Sequence, residues 1–213
     1  MPMLTLLCSA ALPCAAAPEP AAARADAGWI LQKLARPAPM RTAFVELRGS
    51  PMLKAPLRIE GEYRRPDNDT LVREVRSPYA ETTTLRNGQA TLARAGKTSR
   101  TFALSRVPEL AGLQASFGAL LAGDRALLEQ HYRLSTQGTR QQWTLVLVPR
   151  DAQVKASVRD ITLYGRGAEL RCIETRPLKG DLQRTLMAGA AHQAAKATTA
   201  TALAALCRAG NAS

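Results

Sequence analysis

Hydrophobic positions change their period near Arg41. From Ala25 to Arg36 the residues Trp29, Ile30, Leu31 and Leu34 recur at helical spacing, and Pro37 and Pro39 close the run. Beyond it the period falls to two. Leu57, Ile59, Gly61 and Tyr63 alternate with Arg58, Glu60, Glu62 and Arg64, which gives one face to a core and one to water. Thr70–Arg76 and Tyr79–Arg86 read as further strands. Asn87-Gly88 then predicts a two-residue hairpin, since a type I′ turn needs positive φ at both positions. Gln89–Ala95 returns across it, and Gly96-Lys97 leads into Thr98–Leu104.

The middle of the chain departs from this alternation. Between Pro108 and Ala122, Leu110, Leu113, Phe117, Leu120 and Leu121 stand at helical spacing, with Ala and Gly on most of the remaining positions. Such a helix carries too little charge for a solvent face, so it is expected to be covered on several sides. Gly123-Asp124 ends it and can cap a short second helix holding Leu127 and Leu128. Strands resume at His131–Thr136, Gln142–Val148, Val158–Tyr164 and Ala168–Thr175, with Trp143, Leu145 and Leu147 on one face. The expected fold class is α+β: about nine or more antiparallel strands curled around a core, with helices packed on one side. From Met187 to Ser213 the chain holds 12 alanines in 27 residues and only Lys196 and Arg208 as charges. Alanine favours helix but offers little area for anchoring, so residues 187–213 read as a loose helix or disordered tail outside a domain spanning 25–186.

The first eighteen residues carry no charged side chain. Leu4–Leu12 is followed by small residues, and cleavage after Ala16 would remove a secretory signal peptide, residues 1–16. The other reading of this segment is a disordered Ala/Pro tail. The missing Lys or Arg ahead of the apolar stretch departs from the usual signal pattern. Neither Cys8 nor Cys14 is preceded by the small residues of a lipoprotein signal, so export as a soluble protein is expected. Cys172 and Cys207 remain after cleavage. In an oxidising compartment they either bridge, tying the tail to the body, or leave Cys172 as a buried thiol in its strand.

Little in the sequence supports catalysis. No G-x-S-x-G, H-E-x-x-H, C-x-x-C or phosphate-binding loop is present, and His131 and His192 are the only two histidines. Asp67-Asn68-Asp69 follows Pro66 as a turn and lacks the further ligands of a calcium loop. No metal and no cofactor are expected. The net charge of +12 invites anionic partners. Lys54, Arg58, Arg64, Arg65, Arg73 and Arg76 form a stripe that has three readings. It is a solvated strand face paired with Glu60, Glu62 and Glu74, a transient contact for an anionic membrane or partner, or a nucleic-acid surface. The last lacks any reading element, so no nucleic-acid partner is expected.

Several stretches in order resemble the LolA family, the periplasmic carriers of outer-membrane lipoproteins. Phe44-Val45-Glu46 opens a strand after an N-terminal helix, and Gly61-Glu62-Tyr63-Arg64-Arg65-Pro66 is similar to the family's strand end in Arg-Pro. Pro78 precedes Leu85-Arg86-Asn87-Gly88, as in the family's hairpin, and Trp143 to Pro149 is similar to its strand ending in L-x-P. Ile161-Thr162-Leu163 and Ala168-Glu169-Leu170 fit the next hairpin, so the likeness spans Trp29 to Leu186. The resemblance implies an open, strongly curved antiparallel half-barrel whose concave face is covered by helices over an apolar cavity. That cavity would take the acyl chains of lipoproteins or another lipid, without enzyme chemistry. Arg65 matches the arginine that holds the empty cavity closed by bonding lid backbone. Leu110, Leu113, Phe117, Leu120, Ile59, Tyr63, Trp143 and Leu145 are the expected cavity lining, with ordinary core packing as the alternative for each. An inner-membrane release complex and an outer-membrane acceptor are the implied partners, and a monomer is the expected state. Scarce aromatics, the basic charge and the Ala-rich tail depart from the housekeeping carriers. They point toward the divergent members that accompany aryl-polyene or other lipid clusters. A scaffold that binds an assembly partner through its basic sheet face is the competing class.

Overall fold

The computed structural model describes residues 23–48, 57–106, 119–194, 197 and 199–208. The expected leader, Lys54, Leu110, Leu113 and Phe117 lie outside them.

Helix α1 (Ala27–Leu34) starts where Asp26 accepts the Trp29 backbone N–H at 2.9 Å. It buries Ile30, Leu31 and Leu34. The chain then enters a meander of β1 (Met40–Arg48), β2 (Leu57–Arg65), β3 (Thr70–Ser77), β4 (Glu81–Arg86), β5 (Gln89–Arg94) and β6 (Arg100–Ala103). Asn87 and Gly88, at φ of 49° and 70°, make the β4–β5 turn that the Asn-Gly pair predicts. A helical turn at 119–122 and helix α2 (Arg125–His131), capped by Asp124, carry the chain to the far edge. A second meander follows: β7 (Tyr132–Thr139), β8 (Gln142–Pro149), a short α3 (Ala152–Lys155), β9 (Val158–Arg166), β10 (Glu169–Pro177) and β11 (Gln183–Met187).

The strands form one open 11-stranded antiparallel sheet in the order β6-β5-β4-β3-β2-β1-β11-β10-β9-β8-β7. β11 is the strand missing from the sequence expectation. It joins the two meanders by lying beside β1, with Phe44 opposite Met187 and also opposite Gly61 on β2.

Strand alternation gives the sheet two distinct faces. One packs α1, the 119–122 turn and Leu128 of α2 against Phe44, Ile59, Val75, Trp143, Leu145, Leu147, Leu163 and Met187. Burial of each large side chain there contributes roughly 1.5–3 kcal/mol. Close approach is built into this face. A Cβ at Gly165 would stand 1.9 Å from the Trp143 ring, so the indole lies flat only because residue 165 is glycine. The indole N–H donates to Gly167 O at 2.9 Å, which satisfies the one polar atom of the buried ring.

The opposite face corrects the expectation for the alanine-rich segment. Residues after Met187 form α4 (Ala188–Gln193) and α5 (Ala200–Arg208), which lie on the sheet. Ala190, Ala191, Ala194, Leu203 and Cys207 are buried against Val45, Leu47, Cys172 and Leu186. Small side chains let helix backbone approach strand backbone closely, so alanine anchors here by fit rather than by area. A Cys172–Cys207 disulfide, closing a separation of 35 residues, ties α5 to β10.

Candidate functional site

The alternation of β2 sends Ile59, Gly61, Tyr63 and Arg65 to the α1 face. Past Ile59 that face is not filled solid. A cavity of about 110 Å³ lies between strands and helices. Met40 and Thr42 of β1, Tyr63 and Arg65 of β2, Leu170 of β10 and Met187 of β11 form its strand side. Leu34 and Arg36 at the end of α1, and Leu120 and Leu121 of the 119–122 turn, form its helix side. The wall is mainly apolar.

Arg65 is buried in the wall of this cavity. Its Nη1 donates to Arg36 O at 2.9 Å and its Nη2 to Asn68 Oδ1 at 3.1 Å. The Arg36 backbone N–H in turn donates to Leu121 O at 3.0 Å, and the Arg36 side chain donates to Ala168 O at 3.1 Å. Arg36 therefore joins three things, by its carbonyl the last residue of β2, by its N–H the helical turn beside the cavity, and by its side chain the β9–β10 turn. A planar guanidinium with several fixed donors suits this post, because it can hold a backbone carbonyl and a side-chain amide at once.

Of the expected lining residues, Tyr63 and Leu120 border the cavity together with Arg65. Ile59, Trp143 and Leu145 are fully buried in the core of the same face and are not among the residues bordering the cavity. Leu110, Leu113 and Phe117 lie outside the described residues. Sequence reasoning missed Leu34, Met40, Leu170 and Met187. Their apolar character and strand parity were available signals, but nothing in the pattern marks where a buried face turns hollow.

A polar cluster adjoins the cavity through Tyr63. The Tyr63 ring packs on Phe44 with centroids 4.9 Å apart, and its hydroxyl is hydrogen-bonded to Arg73. Burial pushes the Tyr63 phenol above its ordinary value, against the opposing charge of Arg73. The Arg73 guanidinium sits 4.7 Å from the Phe44 ring centre and donates to Glu46 Oε2 at 3.0 Å. Arg48 donates to the other oxygen, Glu46 Oε1, at 2.8 Å. Burial works against the charge on Arg73, yet Tyr63 and Glu46 together raise its pKa above the usual arginine value.

These positions split the basic stripe expected from sequence. Arg65 and Arg73 face the cavity side. Arg58, Arg64 and Arg76 face the other way, and each is paired there: Arg58 with Glu60, Arg64 with Glu74, and Arg76 with Glu62 and Glu74. Arg41 adds a further contact to Glu62. The outer part of the stripe is thus a network of ion pairs, some along one strand (Arg58–Glu60, Arg76–Glu74) and some across two (Arg64–Glu74, Arg76–Glu62). Among the described residues no three metal-ligating side chains come together. Among them, too, no helix is long and apolar enough to cross a membrane.

An open antiparallel sheet with helices over an apolar cavity defines the class of fold. The family model described as "Outer membrane lipoprotein carrier protein LolA-like" matches residues 15–210, and the chain belongs to that family. No curated protein matches the sequence. Among solved structures, the LolA superfamily protein NE2245 from Nitrosomonas europaea is similar at 13% identity, over 75% of this chain and 90% of that one, with a TM-score of 0.40. LprF from Mycobacterium bovis is similar at 14% identity, over 76% and 91%, with a TM-score of 0.33. The MucA/MucB complex of Pseudomonas aeruginosa matches at 18% identity, over 76% of this chain and 56% of that one, at 0.40.

Proposed function

We propose that this protein is a periplasmic carrier that shelters the acyl chains of lipoproteins, or of a related lipid, between its sheet and helices on the way to the outer membrane. The observation that supports this reading is the apolar cavity with Arg65 in its wall, bonded to the Arg36 carbonyl, whose residue in turn bonds Leu121. Membership of the LolA-like family supports the same assignment. Residues 1–16 would direct export and be removed. An inner-membrane release complex would load the carrier as a monomer, and an outer-membrane acceptor would unload it, with no catalytic step and no cofactor.

The cavity's size tells how the carrier would work. At about 110 Å³ it is smaller than the roughly 150 Å³ hole that accommodates a benzene molecule. Hydrocarbon enters only if the roof moves. The 119–122 turn is the part to move, since the Arg36–Leu121 main-chain bond and the Arg65 latch hold it at this end. Each methylene buried returns about 0.8 kcal/mol, so several methylenes offset the loss of those bonds. Curvature of the sheet into a half-barrel would give the widened space its depth.

The test is native mass spectrometry of the protein isolated from its own periplasm. Co-isolated lipid or lipoprotein, lost on extraction with detergent, is the expected result. A uniformly lipid-free protein that takes up no fatty acid in vitro would sink the carrier reading.

A further inference from the structure

Charge is misplaced on the cavity face, and this misplacement carries information about the ligand. Glu46 shares strand parity with Phe44, and Arg73 shares it with Val75, so both belong to the face that otherwise buries hydrocarbon. The Glu46 side chain is 5% exposed and that of Arg73 18%. Taking an ion pair out of water costs free energy that its own attraction rarely returns in full. An apolar pair at these positions would close the face more cheaply.

The arithmetic of the cluster is unbalanced as well. Among the described residues, Arg48 and Arg73 share one carboxylate, each on a different oxygen, which leaves one positive charge over. The next carboxylate on this face, Glu81, is engaged by Arg94. Two guanidiniums carry ten N–H donors, and Glu46 accepts one from each by the contacts above. Arg48 keeps 48% of its side-chain surface exposed, so an anion can reach the pair from solvent. Tyr63 links this spot to the cavity, since its ring lines the hollow and its hydroxyl bonds Arg73. Along β1 the step from Thr42 at the cavity wall to Glu46 is four residues, about 13 Å of strand.

We propose that Arg48 and Arg73 hold a single negative charge, a carboxylate or phosphate, at the end of a hydrocarbon chain whose tail occupies the Tyr63–Leu120 cavity. This rests on the carrier reading and narrows its ligand to lipids with one anionic group close to the chain. Glu46 orients the two guanidiniums and sets the net charge of the cluster at the value that one anion neutralises. Bidentate guanidinium–oxyanion bonds are charge-assisted and discriminate sharply against an uncharged ester of the same length.

Displacement of the neutral dye Nile red by dodecanoate, methyl dodecanoate, dodecyl phosphate and inorganic phosphate tests this. Dodecanoate and dodecyl phosphate are expected to compete about tenfold better than the methyl ester. Inorganic phosphate should not compete, and displacement by it would overturn the lipid assignment. In Arg73→Met the acid-to-ester ratio should fall toward one while ester binding persists. In Glu46→Gln the ratio should rise, because a further positive charge is uncovered. The opposite signs separate ligand contact from a merely structural role, and the second variant stands if the first fails to fold. An acid-to-ester ratio of one in the native protein overturns the proposal and leaves the carrier reading intact. Failure of every chain-bearing compound to bind overturns both.

Discussion

Replacing Arg65 with leucine removes the bond from Nη1 to Arg36 O and the one from Nη2 to Asn68 Oδ1, while leaving an apolar side chain in the cavity wall. A hydrogen bond from a charged donor contributes about 1.5–3 kcal/mol. The bond to Arg36 O ties β2 to the residue whose own N–H holds Leu121 of the roof, so losing it is expected to shift the closed-to-open ratio by up to roughly 10- to 150-fold toward open. Apparent affinity for a chain that binds only the open form rises by up to the same factor, because less free energy is spent on opening. The new leucine is buried against protein in the closed form and against ligand in the loaded one, so its roughly 1.5–3 kcal/mol limits the change in melting temperature without restoring the lost bond. Arg65→Leu is therefore expected to melt near the native protein yet retain its load. Stopped-flow transfer of a fluorescent fatty acid to acceptor vesicles reads this directly, with a slower off-rate in the variant. Arg65→Lys keeps the charge but not the fork, and should fall between the two. Transfer at the native rate in Arg65→Leu, with the fold intact, would refute the latch.

Two further outcomes follow from the structure. Cys207→Ser opens a loop closed across 35 residues, and the chain-entropy relation puts the loss at about 4 kcal/mol. Thermal melts should show it equally in the native protein under strong reductant, whereas a melting point insensitive to both would mean that α5 is held without the bridge. Tyr63 supplies the pH dependence. Its folded-state pKa is raised, chiefly by burial, so the neutral phenol is favoured in the fold. Its contribution is fully present below the ordinary tyrosine value of 10.0 and is lost as pH climbs through the higher folded value. Denaturant titrations at rising alkaline pH should give a steeper decline for the native protein than for Tyr63→Phe.

How much of this was legible in the residues depends on where each signal resides. Hairpins such as Asn87-Gly88 write their backbone geometry into residue type, and the alternation of β2 assigned Ile59 and Tyr63 to one face without coordinates, while Arg65 was counted with the basic stripe. β11 escaped notice because Gln183, Arg184 and Thr185 show no apolar alternation; the strand exists because β1 and β10 supply partners on both sides. The alanine helices were misplaced for a related reason: composition reports area, while close fit against Val45 and Leu186 appears only in three dimensions. The cysteine pair was two open readings until Cα atoms 5.1 Å apart brought the sulfurs together. Among the cavity residues, parity identified the face but not its hollow part, so Ile59, Trp143 and Leu145 were grouped with Tyr63 and Leu120. Arg73 was counted with the outer arginines although it stands two residues from Val75, and that parity was enough to move it.

The pairing of β1 with β11 sets the order in which the molecule can be assembled. Phe44 meets Met187 only after nearly all of the polypeptide has been delivered, so each meander must wait as an unfinished half with a bare edge. A chain threaded through a membrane N-terminus first would arrive on the far side with its first six strands unable to knit to the rest. Zipping of that central seam would come last, and it would bring the alanine helices and their cysteine into place in the same movement.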